Sequence, residues 1–131
     1  MRLPAFGILA IVAAIFMGCT SKVDSGKMVA TTAKLYYDYL LEGKYEDFVE
    51  GVDMVLEGHD SYRSQLIDNA KMFVRQQEKY HKGIKGFEAV DAKVDEDGLS
   101  GNAFLSVNYA DSTSEVIVVP MVSREGVWKM R

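Results

Sequence analysis

The twenty residues Val90-Asp91-Ala92-Lys93-Val94-Asp95-Glu96-Asp97-Gly98-Leu99-Ser100-Gly101-Asn102-Ala103-Phe104-Leu105-Ser106-Val107-Asn108-Tyr109 decide the fold. Asp97-Gly98 is a two-residue hairpin signal, because a tight turn between twisted strands needs residues that tolerate positive φ. Pairing outward from it sets Val94 opposite Gly101, Ala92 opposite Ala103 and Val90 opposite Leu105. These residues, with Val107 and Tyr109, share one face. Asp91, Lys93, Asp95, Ser100, Asn102, Ser106 and Asn108 share the other, where Phe104 is the apolar exception. One apolar and one polar face is the pattern of a half-solvated antiparallel sheet.

The alternation continues downstream. Asp111-Ser112-Thr113 predicts a turn into a third strand, Glu115 to Ser123, and Glu125-Gly126 a turn into a fourth, Val127 to Met130. Simple alternation puts Val116 and Val118 inside and leaves Trp128 and Met130 outside. Pro120 cannot donate to a ladder. A one-residue bulge near it reverses the parity beyond, bringing Met121, Trp128 and Met130 to the inner face. Phe104, Ile117 and Val119 are then the candidates for the outer face.

Upstream the period changes from two to between three and four. Met28, Thr32, Leu35, Tyr36, Tyr39 and Leu40 predict a helix from about Ser25 to Leu41, stopped by Gly43. Tyr45, Phe48, Val49, Val52 and Val55 predict a second, shorter helix with Gly51 inside it. Tyr62, Leu66, Ala70, Phe73, Gln77 and Tyr80 step along a third. Helices followed by a meander of strands define an α+β protein, with about three N-terminal helices packed on a curved four-stranded antiparallel sheet.

The chain has 131 residues, 48% hydrophobic and 26% charged, which suits one domain. Its net charge of −4 and lack of a basic stripe argue against a nucleic-acid partner. The first residues are a separate unit. Arg2 is the only charge before the thirteen residues Ala5 to Met17, none of them charged or strongly polar. That run matches a signal h-region and is short for a membrane span, which needs about 20 residues. Gly18-Cys19 follows, then Thr20-Ser21-Lys22. This arrangement resembles a bacterial lipoprotein signal, with Phe16 and Met17 departing from the usual residues and the Gly-Cys pair kept. The resemblance implies a signal peptide over 1–18, a diacylated Cys19, a polar tether over 19–27 and a domain over 28–131. It places the protein in the cell envelope, held by lipid, on the outer membrane facing the periplasm. Cleavage would leave 113 residues of net charge −5, since Arg2 leaves with the signal. With Cys19 as the only cysteine, neither an intrachain disulfide nor a multi-cysteine metal site is expected.

Three short stretches carry a second resemblance. Leu40-Leu41-Glu42-Gly43-Lys44-Tyr45 resembles the step between the first two helices of the cystatin-like, nuclear transport factor 2-like superfamily. Tyr109-Ala110-Asp111-Ser112 is similar to its Tyr-x-Asp-Gly turn, with Ser112 in place of glycine. Gly126-Val127-Trp128-Lys129-Met130 is similar to its closing strand. The resemblance implies a cone in which a bent sheet wraps a long helix, often around an apolar pocket. Its nearest group is small bacterial lipoproteins of unknown function. The superfamily includes isomerases, dehydratases, ligand binders and dimerisation modules, so the fold does not choose among functions.

The chemistry-bearing residues are few. There is no Gly-x-Ser-x-Gly elbow and no phosphate-binding glycine loop. His59 and His81 are the only histidines and lack a third nitrogen or sulfur ligand, so no metal and no cofactor are expected. Asp95-Glu96-Asp97-Gly98 lacks the spaced ligands of a calcium loop. Glu88 shares the parity of Val90 and Ala92. A carboxylate turned into an apolar pocket has a raised pKa and suits a base. Tyr109 on the same face suits a hydrogen-bond donor. A pocket on this face would be lined by Tyr36, Tyr39, Glu88, Tyr109, Met121 and Trp128; the alternative leaves Glu88 solvated at the open end of the sheet and the others in the core, and Tyr37 falls off the inner helix face. The expected function is non-catalytic binding of a small apolar ligand or a protein partner. The alternatives are an isomerase or dehydratase using an inward acid, and a homodimerisation module using the outer sheet face.

Overall fold

The computed structural model describes residues 21–53 and 60–131. The signal stretch, Cys19, Val55 and His59 lie outside them. Three helices precede four strands: α1 Ser21–Leu41, α2 Tyr45–Glu50, α3 Asp60–His81, β1 Ile84–Val94, β2 Ser100–Tyr109, β3 Ser114–Arg124 and β4 Val127–Met130. The strands form one antiparallel sheet in the order β1-β2-β3-β4. Val29 and Ala33 of α1 are buried together with Ala103, Leu105, Val119, Met121, Trp128 and Met130 of the sheet. This is the expected α+β architecture. The helix already runs at Ser21, four residues before the expected start, so the stretch 21–27 read as a polar tether is helical.

The first hairpin keeps the expected register over its distal half, Val94 to Gly101 and Ala92 to Ala103. Its loop is longer than two residues. Asp95 N–H donates to Ser100 O at 2.8 Å and Gly98 N–H to Asp95 O at 2.9 Å. Gly98 has φ 71°, the left-handed conformation for which glycine carries no steric penalty. Farther along, Ala89 pairs with Leu105 and Asp91 with Phe104, so Val90 is an unpaired bulge residue. Val90 is 57% exposed. The bulge reverses the parity from Ala89 back to Gly86, where a second register shift, between Ile84 and Gly86, returns Ile84 to the inner face. Phe87 therefore faces inward, buried against Val107 and Tyr109, and Glu88 faces outward opposite Ser106. Burying a Phe contributes about 1.5–3 kcal/mol, whereas burying an unpaired carboxylate is costly. The bulge resolves that conflict.

The expected bulge near Pro120 does not form. β2 and β3 pair without a break from Asn108–Ser114 to Ser100–Val122. The parity is set instead by loop length. Tyr109 N–H donates to Thr113 O at 2.9 Å, closing a three-residue loop that keeps odd-numbered residues inside. Ile117, Val119 and Met121 thus oppose Leu105, Ala103 and Gly101, while Val116 and Val118 are 57% and 54% exposed. The two-residue turn Glu125-Gly126, with φ 54° and 84°, then switches the inner set to even numbers. Trp128 and Met130 enter the core opposite Ser123 and Met121. Of the three residues expected outside, only Phe104 is there. Val119 is core and Ile117 packs against the core from its rim.

The buried face of α1 is also displaced from the expected one. Val29, Ala30, Ala33 and Leu40 are buried, with Tyr36 and Tyr37 half-buried, while Met28 and Leu35 are exposed. Small residues win because they let the helix axis approach the sheet. A Cβ at Gly26 would lie 3.9 Å from Ala92 O.

Candidate functional site: an apolar cleft beneath the third helix

α2 is a single short element of six residues. Its end is fixed by close approach: a Cβ at Gly51 would lie 2.6 Å from the Tyr36 ring. Val52 then forms a parallel bridge to Met130, and Met130 N–H donates to Gly51 O at 2.7 Å. These contacts hold Phe48 and Val52 over the far half of α1. Tyr37 meets the Phe48 ring edge-on at 5.2 Å and the Phe87 ring at 5.3 Å. Such pairs add about 0.5–1.5 kcal/mol each beyond their buried area. Burial raises the Tyr37 pKa above its ordinary value.

α3 crosses this assembly with Leu66, Ala70 and Phe73 facing it. Ala70 is the helix's one buried residue among those described. The fit is incomplete and leaves a cleft of about 190 Å³ between Tyr37, Leu40, Phe48 and Val52 on one side and Leu66, Asn69, Ala70 and Phe73 of α3 on the other. Asn69 is the one side chain in that lining built for hydrogen bonding at both ends of an amide. A closed apolar cavity of about 150 Å³ holds benzene, so the cleft fits one ring or one branched chain.

The far end of α3 is clasped to the β2–β3 turn. Lys82 has φ 64°, and Gly83 N–H reaches back to Gln77 O at 3.0 Å, closing the helix end. His81 stacks on the Tyr109 ring at 3.9 Å and 13°, and its Nδ1 lies 3.0 Å from Asp111 Oδ2. Ala110 N–H donates to Gly83 O and Asp111 N–H to His81 O. Hydrogen bonds from the Thr113 hydroxyl and N–H, then His81, hold the Asp111 carboxyl down at about 2. The Tyr109 hydroxyl donates to Glu115. Burial first, and that bond second, push the Tyr109 hydroxyl up to about 12.

The residues expected to line a pocket are therefore placed as follows. Tyr36 is half-buried and donates from its hydroxyl to Trp128 O at 2.6 Å. Met121 and Trp128 are packed in the core. Tyr109 belongs to the clasp. Tyr39 is half-buried, and its carbonyl accepts Lys44 N–H. Glu88 is exposed on the outer face, a correction that follows from the Val90 bulge. Cys19 lies outside the described residues. None of these lines the apolar cleft. All eight residues of the cleft's lining were missed as pocket residues; for Tyr37 at its centre the signal was its four-residue step from Ala33, itself four from Val29. Among the described residues there is no cluster of three metal-ligating side chains and no buried charged side chain.

The sheet, the long helix beneath it and the short helix at its edge together form the NTF2-like fold. Neither a protein-family model nor a curated protein sequence matches the chain. Among solved structures, a Campylobacter jejuni protein described as a "Putative NTF2-like transpeptidase" superposes with a TM-score of 0.61. It covers 76% of this chain and 94% of its own at 10% identity, a similarity of fold alone. No helix among the described residues is long and apolar enough to cross a membrane.

Proposed function

We propose that this chain is a lipid-anchored bacterial envelope protein that binds an apolar group in the cleft beneath α3 and does no chemistry on it. The observation that carries the reading is the cleft itself, apolar on every side but Asn69 and open between helices. Isomerase or dehydratase chemistry would need an acid or base aimed at the bound group. Glu88 is on the opposite face of the sheet and the Tyr109 hydroxyl is engaged by Glu115. The activity in the structural neighbour's name is not carried over, because acyl transfer needs a nucleophile and the sole cysteine is read as the lipid site. Lipidation of Cys19 rests on the signal pattern, and two or three acyl chains would hold a domain of this size on a membrane.

The test is native mass spectrometry of the protein released gently from its own host's envelope. The expected result is an acylated Cys19 together with a co-purifying small apolar mass. The Ala70→Leu variant, which fills the cleft, should lose the apolar mass and keep the acyl chains. An acylated protein that is always empty, or one whose cargo survives Ala70→Leu, would sink the binding reading.

A further inference from the structure

The start of α1 has a geometric consequence for the anchored protein. The described part of α1 opens at Ser21, two positions after Cys19 in the sequence. Two residue steps reach at most about 7 Å. A cysteine held at the bilayer surface therefore keeps the first turn of α1 within about one helix diameter of the headgroups. What lies beside that turn is settled by the packing. Near its start, Gly26 approaches Ala92 O of β1. Eleven residues later, Tyr37 meets Phe87. α1 thus runs antiparallel to β1, and its N-terminal end lies at the β1–β2 hairpin. Two hollows of about 490 and 530 Å³ sit between them and share Gly26 and Ala92. The second of these reaches Asp95, Glu96 and Gly98 of the hairpin loop.

We infer that the β1–β2 hairpin loop is the membrane-facing end of the domain and that the α3 cleft faces away from the bilayer. The inference rests on the lipid reading of Cys19. Leu99, 58% exposed in this loop, is the apolar residue presented to the headgroups. Asp95, Glu96 and Asp97 stand beside it, so the surface suits zwitterionic headgroups and is repelled by anionic ones. α1 spans 21 residues, which at the helical rise is about 30 Å. Leu40, His81 and the β2–β3 turn lie toward its far end. The cleft is thereby held clear of the headgroups, open to a soluble carrier or partner.

Lipidated full-length protein carrying one introduced cysteine tests this. Acylation masks Cys19, so a thiol-reactive fluorophore labels only Glu96→Cys in the hairpin loop or Glu42→Cys just past α1. Each protein is bound to phosphatidylcholine vesicles containing headgroup-nitroxide lipid. The expected result is strong quenching at position 96 and little loss of fluorescence at position 42. Equal quenching at the two positions, or the reverse order, overturns the orientation while leaving the lipid reading intact. A protein mass without acyl chains and no flotation with the vesicles overturns the lipid reading, and the orientation with it.

Discussion

At the residue scale, Gly51 and Glu88 show how single positions act through their surroundings. Gly51 is buried against the face of Tyr36, whose hydroxyl bonds the Trp128 carbonyl. Gly51→Ala forces that ring to move. The expected cost is about 1–3 kcal/mol, the usual range for overpacking, measured by urea denaturation. A variant as stable as the parent would mean that the ring moves freely. Glu88 illustrates the opposite case. It sits on the solvated face, so Glu88→Gln should change stability by less than about 0.5 kcal/mol and leave cleft binding unaltered. Loss of binding in that variant would reinstate the inward acid. Alternation carried through Val90 leaves Glu88 either inward or solvated at the sheet end, and the residue skipped in the ladder at Val90 decides for the solvated side.

At the element scale, α3 depends on its ends. Its middle buries only Ala70 among the described residues, while its C-terminus is tied to the β2–β3 turn through His81 and Asp111. The sign of the pH dependence follows from the Asp111 carboxyl, held near 2 against an ordinary 3.8. A depressed folded value contributes stability that is present above pH 3.8 and lost as pH falls toward 2. Asp111→Asn should therefore melt at a lower temperature than the parent at pH 5, with the gap closing as pH falls through that window. A gap of constant size from pH 5 to pH 2 would assign the effect to packing rather than charge. Helix existence and length were readable here from the apolar period of Leu66, Ala70 and Phe73. The clasp was not, since thirty residues separate His81 from Asp111 and no local pattern links them.

At the scale of the whole molecule, stability centres on the inner sheet face. Leu105 is fully buried between α1 and the neighbouring strands. Leu105→Ala should cost about 2–5 kcal/mol, the range for a buried leucine cavity, measured by chemical denaturation. The outer face presents Phe104, Val116, Val118 and Pro120 in adjacent positions on β2 and β3. If that face is solvated in the working protein, Val118→Thr should cost less than about 0.5 kcal/mol and leave the sedimentation behaviour unchanged. A larger loss that depends on protein concentration would point to a second copy covering the face.

The sequence by itself determined the order of helices and strands, the four-stranded antiparallel meander and the two-faced first hairpin. Those features are local: hydrophobic period, turn residues and helix stops act over a few neighbours. Tertiary structure alone decided which residues face inward along β1 and β3, which stripe of α1 is buried, and where open apolar space remains. The reason is that parity passes through every bulge and loop before it. One unpaired residue at Val90, or one residue more in a turn, reverses a whole strand. The choice is then made by which arrangement buries Phe87, Trp128 and Met130 and leaves Glu88 in water. The cleft under α3 is likewise a residue of packing, the space left when three helices close over Tyr37 and do not fill it.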